Sequence, residues 1–211
     1  MSEVEQDLDI AIGHYAELLA SNLHAQRAAH FPPDAKKVMR TLTSGEAAEL
    51  LGVDHTYLRK LHREGKIVDV ETTAGSHRRY TLDDIWEIRQ TLEGNAKKSG
   101  TYVPGRRDGD ELQVISVVNF KGGSGKTTTS AHLAQRLALK GYRVLAIDLD
   151  PQASLSALHG IQPELDLMEG GTLYDAVRYD DPVPIAEVIR KTYIRGLDLI
   201  PGNLELMEFE H

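Results

Sequence analysis

Apolar residues recur along the chain at regular spacings, and these spacings separate helical segments from strand-like ones. From about residue 5 to residue 29 the spacing is three or four positions, which predicts a helix with one apolar face. The residues on that face are Leu8, Ile12, Tyr15, Leu19 and Leu23. The pair Pro32-Pro33 would end the helix. Two interpretations stay open: the face packs on the helix's own domain, or it pairs with the same helix of a second copy.

Residues 42–64 have the pattern of a helix–turn–helix. Ser44 can cap the first helix, Gly52 can form the turn, and Asp54 can cap the second helix. The positions expected to face inward are Ala47, Ala48, Leu51, Leu58 and Leu61. A hairpin is expected after Gly65-Lys66, followed by another helix.

Polar and basic side chains remain on the outside of the second helix and in the hairpin. The candidates for DNA contact are His55, Thr56, Tyr57, Arg59, Lys60, Arg63, Arg78 and Arg79. Between His55 and Leu82, six Lys and Arg residues stand against three acids, a balance of +3 in a chain of net charge −8. This local positive charge favours DNA contact at one patch of an acidic protein. A small helical adaptor with solvated basic residues is the alternative.

The pattern changes after a polar, glycine-rich stretch at 94–111, which is typical of a flexible joint. Val114–Val118 is a short β-branched run, Thr127–Lys140 has helical spacing and ends at Gly141, and Val144–Ile147 is a second apolar strand. This order of strand, loop, helix and strand predicts a parallel sheet covered by helices. The predicted domains are residues 1–37, 38–93, the linker 94–111, and 112–211.

The loop between the first predicted strand and its helix reads Asn119-Phe-Lys-Gly-Gly-Ser-Gly-Lys-Thr-Thr128. Its glycines, Gly122, Gly123 and Gly125, allow successive N–H groups to point at one anion. The helix beginning near Lys126 adds its positive end, and the Lys126 ammonium would meet the β- and γ-phosphates of a nucleotide. The Thr127 hydroxyl can bind Mg²⁺. The loop therefore predicts phosphate binding, with a glycine-rich turn carrying incidental lysines as the alternative.

Two acids follow the second strand, in the sequence Asp148-Leu-Asp-Pro-Gln152. Side chains at the carboxyl ends of parallel strands lie next to the ligand crevice. Asp148 and Asp150 can therefore hold the hydration shell of Mg²⁺ and orient a water molecule. A solvated turn is the alternative for this short pattern.

Composition excludes several classes of protein. The chain has 41% hydrophobic and 27% charged residues, the proportions of a globular domain. It has no cysteine, which excludes disulfides and Cys-ligated iron–sulfur clusters. There is no apolar run of about 20 residues, and the acidic N-terminus is not a secretory signal. The expected location is cytoplasmic, with no membrane partner.

The phosphate loop departs from the strict P-loop pattern, because Phe120 occupies the first glycine position and Lys121 precedes the double glycine. In this form it resembles the deviant Walker A motif of the ParA/MinD group of P-loop ATPases. Residues 42–84, with an Arg-Arg-Tyr element in the hairpin, resemble the MerR-type winged helix. Together these features resemble the larger ParA-type plasmid partition proteins, and most closely the RepA proteins of repABC plasmids.

That resemblance implies a set of roles. Residues 121–128, namely Lys121, Gly122, Gly123, Ser124, Gly125, Lys126, Thr127 and Thr128, would hold ATP. Lys121, Lys126 and Asp150 would be catalytic, with Lys121 reaching the phosphates of a partner subunit, while Thr127 and Asp148 would support Mg²⁺. It further implies an ATP-dependent homodimer, a ParB-type centromere-binding partner, operator and non-specific DNA binding on the nucleoid, and repression of the protein's own operon.

One departure affects catalysis. The resemblance predicts a further strand with a Walker B aspartate and an adenine-binding segment after residue 211, so we expect these 211 residues to be the N-terminal portion of a longer protein with weak or no ATP turnover. Two alternatives remain, a transcription repressor that uses nucleotide only as a ligand, and a non-hydrolysing fragment that acts as a DNA-binding module. A MinD-type division regulator fits poorly, because it would not need the winged helix.

Overall fold

The computed structural model describes residues 3–30, 37–106, 108–167 and 171–210. The chain divides into two compact units, residues 1–36 and residues 37–211. In the first unit, helix α1 runs from Glu3 to His30. The side chains of its apolar face from Ile12 to Leu23 are 57–68% exposed. The side chain of Leu8 and the predicted break at Pro32-Pro33 lie outside the described residues.

The second unit begins with the helix–turn–helix. Its elements are β1 (Leu42–Thr43), α2 (Ser44–Leu51), α3 (His55–Arg63), β2 (Arg79–Tyr80) and α4 (Leu82–Gly94). Gly52 adopts the left-handed conformation, with φ of 69°, at the end of α2, and Asp54 caps α3 by accepting a hydrogen bond from Thr56 N–H. Strands β1 and β2 pair antiparallel and close the base of a wing hairpin. The predicted helix–turn–helix is therefore present.

One predicted cap is wrong by one residue. Ser44 is the first residue of α2, and Thr43 is its N-cap. The Thr43 side chain accepts a hydrogen bond from Glu46 N–H, and the Glu46 carboxylate accepts one from Thr43 N–H at 2.8 Å. Thr43 takes this place because only the Thr-x-x-Glu spacing completes the reciprocal capping box.

The core of the winged helix contains all five positions predicted to face inward. Ala47, Ala48, Leu51, Leu58 and Leu61 are at most 6% exposed. Ile85 and Tyr80 from the later elements complete this core. Burial of these aliphatic side chains stabilises the domain by about 1.5–3 kcal/mol for each large residue.

The second half contains α5 (Lys126–Leu139) and a three-stranded sheet. The strands are β3 (Val144–Ile147), β4 (Arg190–Lys191) and β5 (Leu197–Ile200), in the order β3-β5-β4. Strand β5 pairs with β3 in parallel, from Val144 opposite Leu197 to Ile147 opposite Ile200, and with β4 antiparallel. The short remaining helices are α6 (Ser154–Leu158), α7 (Pro163–Asp166), α8 (Leu173–Val177) and two 3₁₀ turns, Ile185–Val188 and Leu204–Glu210.

The predicted all-parallel sheet needs two corrections. The sheet is mixed, because the two-residue strand β4 runs antiparallel to β5. The predicted strand Val114–Val118 does not join it: within the described residues this run pairs with no strand, and Val114 and Val118 are 81% and 76% exposed. A β-branched run supplies only a tendency, whereas a strand forms when its N–H and C=O groups find a ladder partner.

Strand β3 is also less buried than its apolar sequence indicates. Leu145 and Ile147 are 46% and 47% exposed, because β3 is an edge of the described sheet. Strand β5 is central, and Leu197, Leu199 and Ile200 are at most 1% exposed. The core of this half therefore forms around β5.

Helix α5 covers the sheet through its alanine face. Ala134 and Ala138 pack with Leu197, while Ala131 packs with Leu155 of α6 and Leu199. Small residues at these positions bring the helix backbone close to the sheet. None of the helices in the described part of the chain combines the length and hydropathy that a membrane span requires.

Candidate nucleotide and DNA sites

The phosphate loop ends where α5 begins. Lys126 is the first residue of α5, as predicted, and Gly125 is its N-cap with a φ of 83° and no side-chain cap bond. Gly123 also has a positive φ, of 69°, whereas Gly122 does not. Two of the three predicted glycines therefore adopt a conformation that other residues avoid. The first N–H groups of α5 face the loop without a capping side chain, as an anion site requires.

The loop is accessible from solvent. Residues 119–125 are exposed, and Lys126 and Thr127 are half-buried. Asn119 accepts a hydrogen bond from Lys121 N–H at 2.8 Å, which turns the chain just before the glycines. Phe120, which replaces the usual glycine, is fully exposed. The bulky residue at this position is therefore compatible with the loop.

The two acids after β3 have different environments. Asp148 is 4% exposed, and its Oδ2 accepts hydrogen bonds from Ser156 N–H at 2.8 Å and Ser156 Oγ–H at 2.7 Å. Burial raises the pKa of the Asp148 carboxyl, and the hydrogen bonds from Ser156 oppose that rise. Asp150 is exposed and accepts a hydrogen bond from Gln152 N–H at 3.0 Å. Only Asp150 has a carboxylate open to solvent.

Helix α6 brings these acids toward the start of α5. It follows the acidic loop directly, and its Leu155 packs on Ala131, five residues after Lys126, or about 8 Å along the helix. Within the described residues, no ion pair joins Lys121 or Lys126 to either acid. No group of three or more His, Asp and Glu side chains in that part of the chain could hold a metal ion by itself. A bound Mg²⁺ would thus depend on phosphate oxygens as well.

A basic groove lies between α3, the wing and the start of α2. Its volume is about 380 Å³. The residues that line it are Thr43, Ser44, Gly45, His55, Arg59, Ser76, His77, Arg78 and Arg79. The structure thus brings four of the predicted DNA-contact residues together: His55, Arg59, Arg78 and Arg79. The lining carries three arginines and no acid, so it favours a phosphate backbone.

Two lining features were not predicted. His77 lies at the wing tip next to Ser76, whose φ of 58° marks the turn. The N-terminal turn of α2 at Ser44 and Gly45 forms one wall. A signal for both was present in the sequence, since Gly75-Ser-His is a turn pattern followed by Arg78 and the residue after a cap offers backbone N–H groups.

The other predicted DNA-contact residues lie elsewhere on α3. Tyr57 and Lys60 line a second groove of about 790 Å³, and the Lys60 ammonium lies 3.8 Å from the Glu64 carboxylate. Thr56 and Arg63 are exposed on α3 but line neither groove. The predicted contact surface therefore divides into two sides of one helix.

These features define a protein of the P-loop NTPase class that carries a winged helix–turn–helix. Residues 112–211 match the AAA domain family, and residues 42–92 match the MerR HTH family regulatory proteins. The chain is 55% identical over 93% of its length to a protein of Rhizobium rhizogenes provisionally named replication protein A. It is 35% identical over 84% of its length to Protein SopA of Escherichia coli, and 43% identical over 47% to Chromosome partitioning protein ParA of Caulobacter vibrioides.

The chain belongs to the ParA-type partition ATPase family. It spans 49%, 45% and 35% of the lengths of these three relatives, or about half or less.

Proposed function

We propose that the protein binds ATP with Mg²⁺ at residues 121–128, forms an ATP-dependent dimer, and binds DNA through its winged helix to partition a plasmid or chromosome. The observation that carries this proposal is the junction at Gly125 and Lys126. There, two left-handed glycines lead directly into an uncapped helix that carries an ammonium group on its first residue. Such a junction concentrates N–H donors and positive charge at one point, as triphosphate binding requires.

The residues present fit the nucleotide. A Cβ at Gly122, Gly123 or Gly125 would meet no atom within 4 Å, so the space beside the loop backbone is open to a ligand. Lys126 would hold the β- and γ-phosphates, and the Thr127 hydroxyl would hold Mg²⁺, which neutralises phosphate charge when bound. Ser124 and Thr128 would complete the ring of loop donors.

The proposed catalytic roles are those that the family resemblance implies, and the exposure of the side chains is compatible with them. Asp150, with its open carboxylate, would orient the attacking water, and Lys121, exposed at the rim of the loop, would reach the phosphates of a second subunit. Both oxygens of Asp148 already accept hydrogen bonds. Asp148 would therefore support the hydration shell of the metal indirectly, by holding the loop after β3 in place. The proposed activity is a weak ATP hydrolysis.

The basic groove supplies the DNA function. With Arg59, Arg78 and Arg79 on its walls, it would bind a phosphate backbone while His55 faces base edges. We propose repression of the protein's own operon through this groove. A ParB-type centromere-binding partner and non-specific binding to the nucleoid complete the proposed partition function.

Nucleotide titration of the purified protein tests the proposal. A fluorescent ATP analogue with Mg²⁺ should bind the wild type, and Lys126→Ala should weaken binding by about tenfold or more, because a charge-assisted contact is lost. Lys140→Ala is the matched control, since Lys140 is an exposed lysine at the other end of the same helix. Equal affinity for wild type and Lys126→Ala would overturn the assignment of the site.

A nucleotide-responsive repressor is the second candidate function, supported by the complete basic groove. The same Lys126→Ala variant separates the two. A partition protein should lose ATP-linked dimerisation and plasmid stability, whereas a simple repressor should keep both its operator affinity and the stability of the plasmid.

A further inference from the structure

Arg89 of α4 is a buried arginine that joins three separate segments of the second unit. Its side chain is 4% exposed. One terminal nitrogen donates to Tyr102 O at 2.9 Å, and the other donates to Leu139 O at 2.9 Å and to Leu50 O. A guanidinium group is costly to bury, so it stays in such a place only when carbonyl or carboxylate oxygens surround it.

Two of the three acceptors are C-terminal helix carbonyls. Leu50 is the penultimate residue of α2 in the winged helix, and Leu139 is the last residue of α5, the helix that starts at the phosphate loop. The last carbonyls of a helix have no partner within it and carry the negative end of its dipole. Arg89 therefore supplies one positive charge to the ends of two helices from different parts of the fold.

Neighbouring contacts hold the same junction together. Gly141 has a φ of 95°, and a Cβ there would lie 3.1 Å from an Arg89 nitrogen. The Arg195 guanidinium lies 5.9 Å from the centre of the Trp86 ring, and Leu82 packs against the cores on both sides. The carboxylate of Glu93, one turn after Arg89, accepts hydrogen bonds from Tyr102 and Val103 N–H at 2.8 and 3.0 Å.

The stretch at residues 100–103 is therefore held against α4. The sequence indicated a flexible joint throughout 94–111, and this part of it is fixed by side chains that composition cannot reveal. The C-terminus of α2 in the winged helix and the C-terminus of α5 consequently both contact the buried Arg89 guanidinium.

We propose that Arg89 is a positioning residue that transmits nucleotide binding from the phosphate loop to the winged helix. Helix α5 has 14 residues, about 21 Å, with Lys126 at one end and Leu139 at the other. A helix moves as a rigid body, so a displacement at Lys126 reaches the Leu139 carbonyl. Because Arg89 also binds the Leu50 carbonyl, the displacement moves the end of α2, two residues before the Gly52 turn that orients α3. The inference rests on the proposed nucleotide binding at the phosphate loop.

Hydrogen exchange measured by mass spectrometry on the intact protein tests this coupling. A slowly hydrolysed ATP analogue with Mg²⁺ should slow exchange in the wild type at two places, the loop peptide 119–128 and the peptides covering α2 and residues 100–103. In Arg89→Met the loop should keep its protection, while the second response should fall by about tenfold or more, since hydrogen bonds to a charged group are lost. Arg136→Met, at an exposed arginine on α5, is the matched control and should behave like the wild type.

Arg89→Lys covers the case in which the methionine variant does not fold. A lysine keeps the charge but has a single nitrogen, which cannot occupy both positions from which the two terminal nitrogens of Arg89 reach their acceptors. Its distant response should therefore be smaller than that of the wild type. A full response at α2 in folded Arg89→Lys and Arg89→Met would overturn the coupling, as would no response at α2 in the wild type. Absence of protection in the wild-type loop itself would instead overturn the proposed nucleotide site.

Discussion

The Ser156 hydroxyl donates to Asp148 Oδ2 at 2.7 Å, and both residues are buried, Ser156 at 0% and Asp148 at 4% exposure. The same hydroxyl accepts a hydrogen bond from Gly202 N–H at 3.3 Å. One serine therefore joins the end of β3, helix α6 and the chain that leaves β5. It fixes the loop that presents Asp150, although Ser156 belongs to no recognisable motif.

Ser156→Ala should destabilise the protein by about 1–3 kcal/mol, because it leaves a buried carboxylate short of one donor. Urea unfolding of the two proteins measures this difference. Ser154→Ala, on the same short helix but half-buried, should change stability by less than about 0.5 kcal/mol. Equal losses for the two variants would show that the hydrogen bond to Asp148 has no special weight.

Asp148 should also make stability depend on pH in the unusual direction for an acid. Burial raises its pKa in the folded state above the ordinary value of 3.8, so the folded state holds a proton more tightly than the unfolded state. This contribution is complete below 3.8 and is lost as the pH rises through the raised folded pKa.

Asp148→Asn isolates that contribution, since asparagine can still accept from Ser156 but does not titrate. The free energy of unfolding of the wild type, minus that of Asp148→Asn, should fall as the pH rises from below 3.8 toward neutrality. Urea unfolding at a series of pH values measures it. A difference that stays constant or rises with pH would contradict the raised pKa.

The N-cap of α2 is Thr43, one residue before the predicted Ser44, so alanine substitutions at these two positions can be compared directly. Thr43→Ala removes the capping box of α2 and should cost about 1 kcal/mol, while Ser44→Ala, inside the first turn, should cost only a few tenths. Thermal or urea unfolding distinguishes the two. The Arg40 guanidinium and the Thr43 hydrogen bonds lower the pKa of Glu46 to about 2, so the box should persist as the pH falls until near that value. A larger loss for Ser44→Ala would favour the cap that the sequence suggested.

Local patterns predicted most of the helix–turn–helix because its signals are short-range. The Gly52 turn, the Asp54 cap and the apolar spacing of α2 and α3 each depend on residues a few positions apart. The start of α5 at Lys126, directly after the glycine-rich loop, was predicted for the same reason. The antiparallel strand β4 and the unpaired run at Val114–Val118 depend on which distant segments meet, and propensity does not encode that.

Side-chain networks were equally hidden. Arg89 reads as an ordinary surface arginine on an amphipathic helix, yet it is buried because Leu50, Tyr102 and Leu139 present carbonyls from three segments. From the sequence, the basic residues of α3 were predicted to form a single DNA-contact surface. The structure separates Arg59, in the groove with the wing, from Lys60, which lies beside Glu64.

That separation predicts different salt dependences for DNA binding. Arg59→Ala and Arg78→Ala should each weaken binding and reduce the slope of log affinity against log salt by about one, because each loses one phosphate contact. Lys60→Ala should reduce the slope less, since its charge is already balanced by Glu64. Fluorescence anisotropy with a labelled duplex from upstream of the protein's own gene measures all three. A Lys60→Ala slope change as large as that of Arg59→Ala would place DNA on the other side of α3.

Gly202 allows the chain after β5 to approach the acidic loop. A Cβ at this position would lie 2.8 Å from Asp148 O and 2.9 Å from Asp150 O, and both are backbone atoms that cannot swing aside. Gly202→Ala should therefore force the loop away and cost about 1–3 kcal/mol, the range for overpacking a close contact. Gly94→Ala is the matched control, since a Cβ at that helical position meets nothing within 4 Å and should be neutral or stabilising by up to about 1 kcal/mol. The displaced carbonyls belong to the segment that presents Asp150. Any ATP turnover should therefore fall along with stability in Gly202→Ala and stay unchanged in Gly94→Ala. If Gly202→Ala proves as stable as the wild type in urea unfolding, the loop can move at no cost, and Ser156 does not fix the position of the loop.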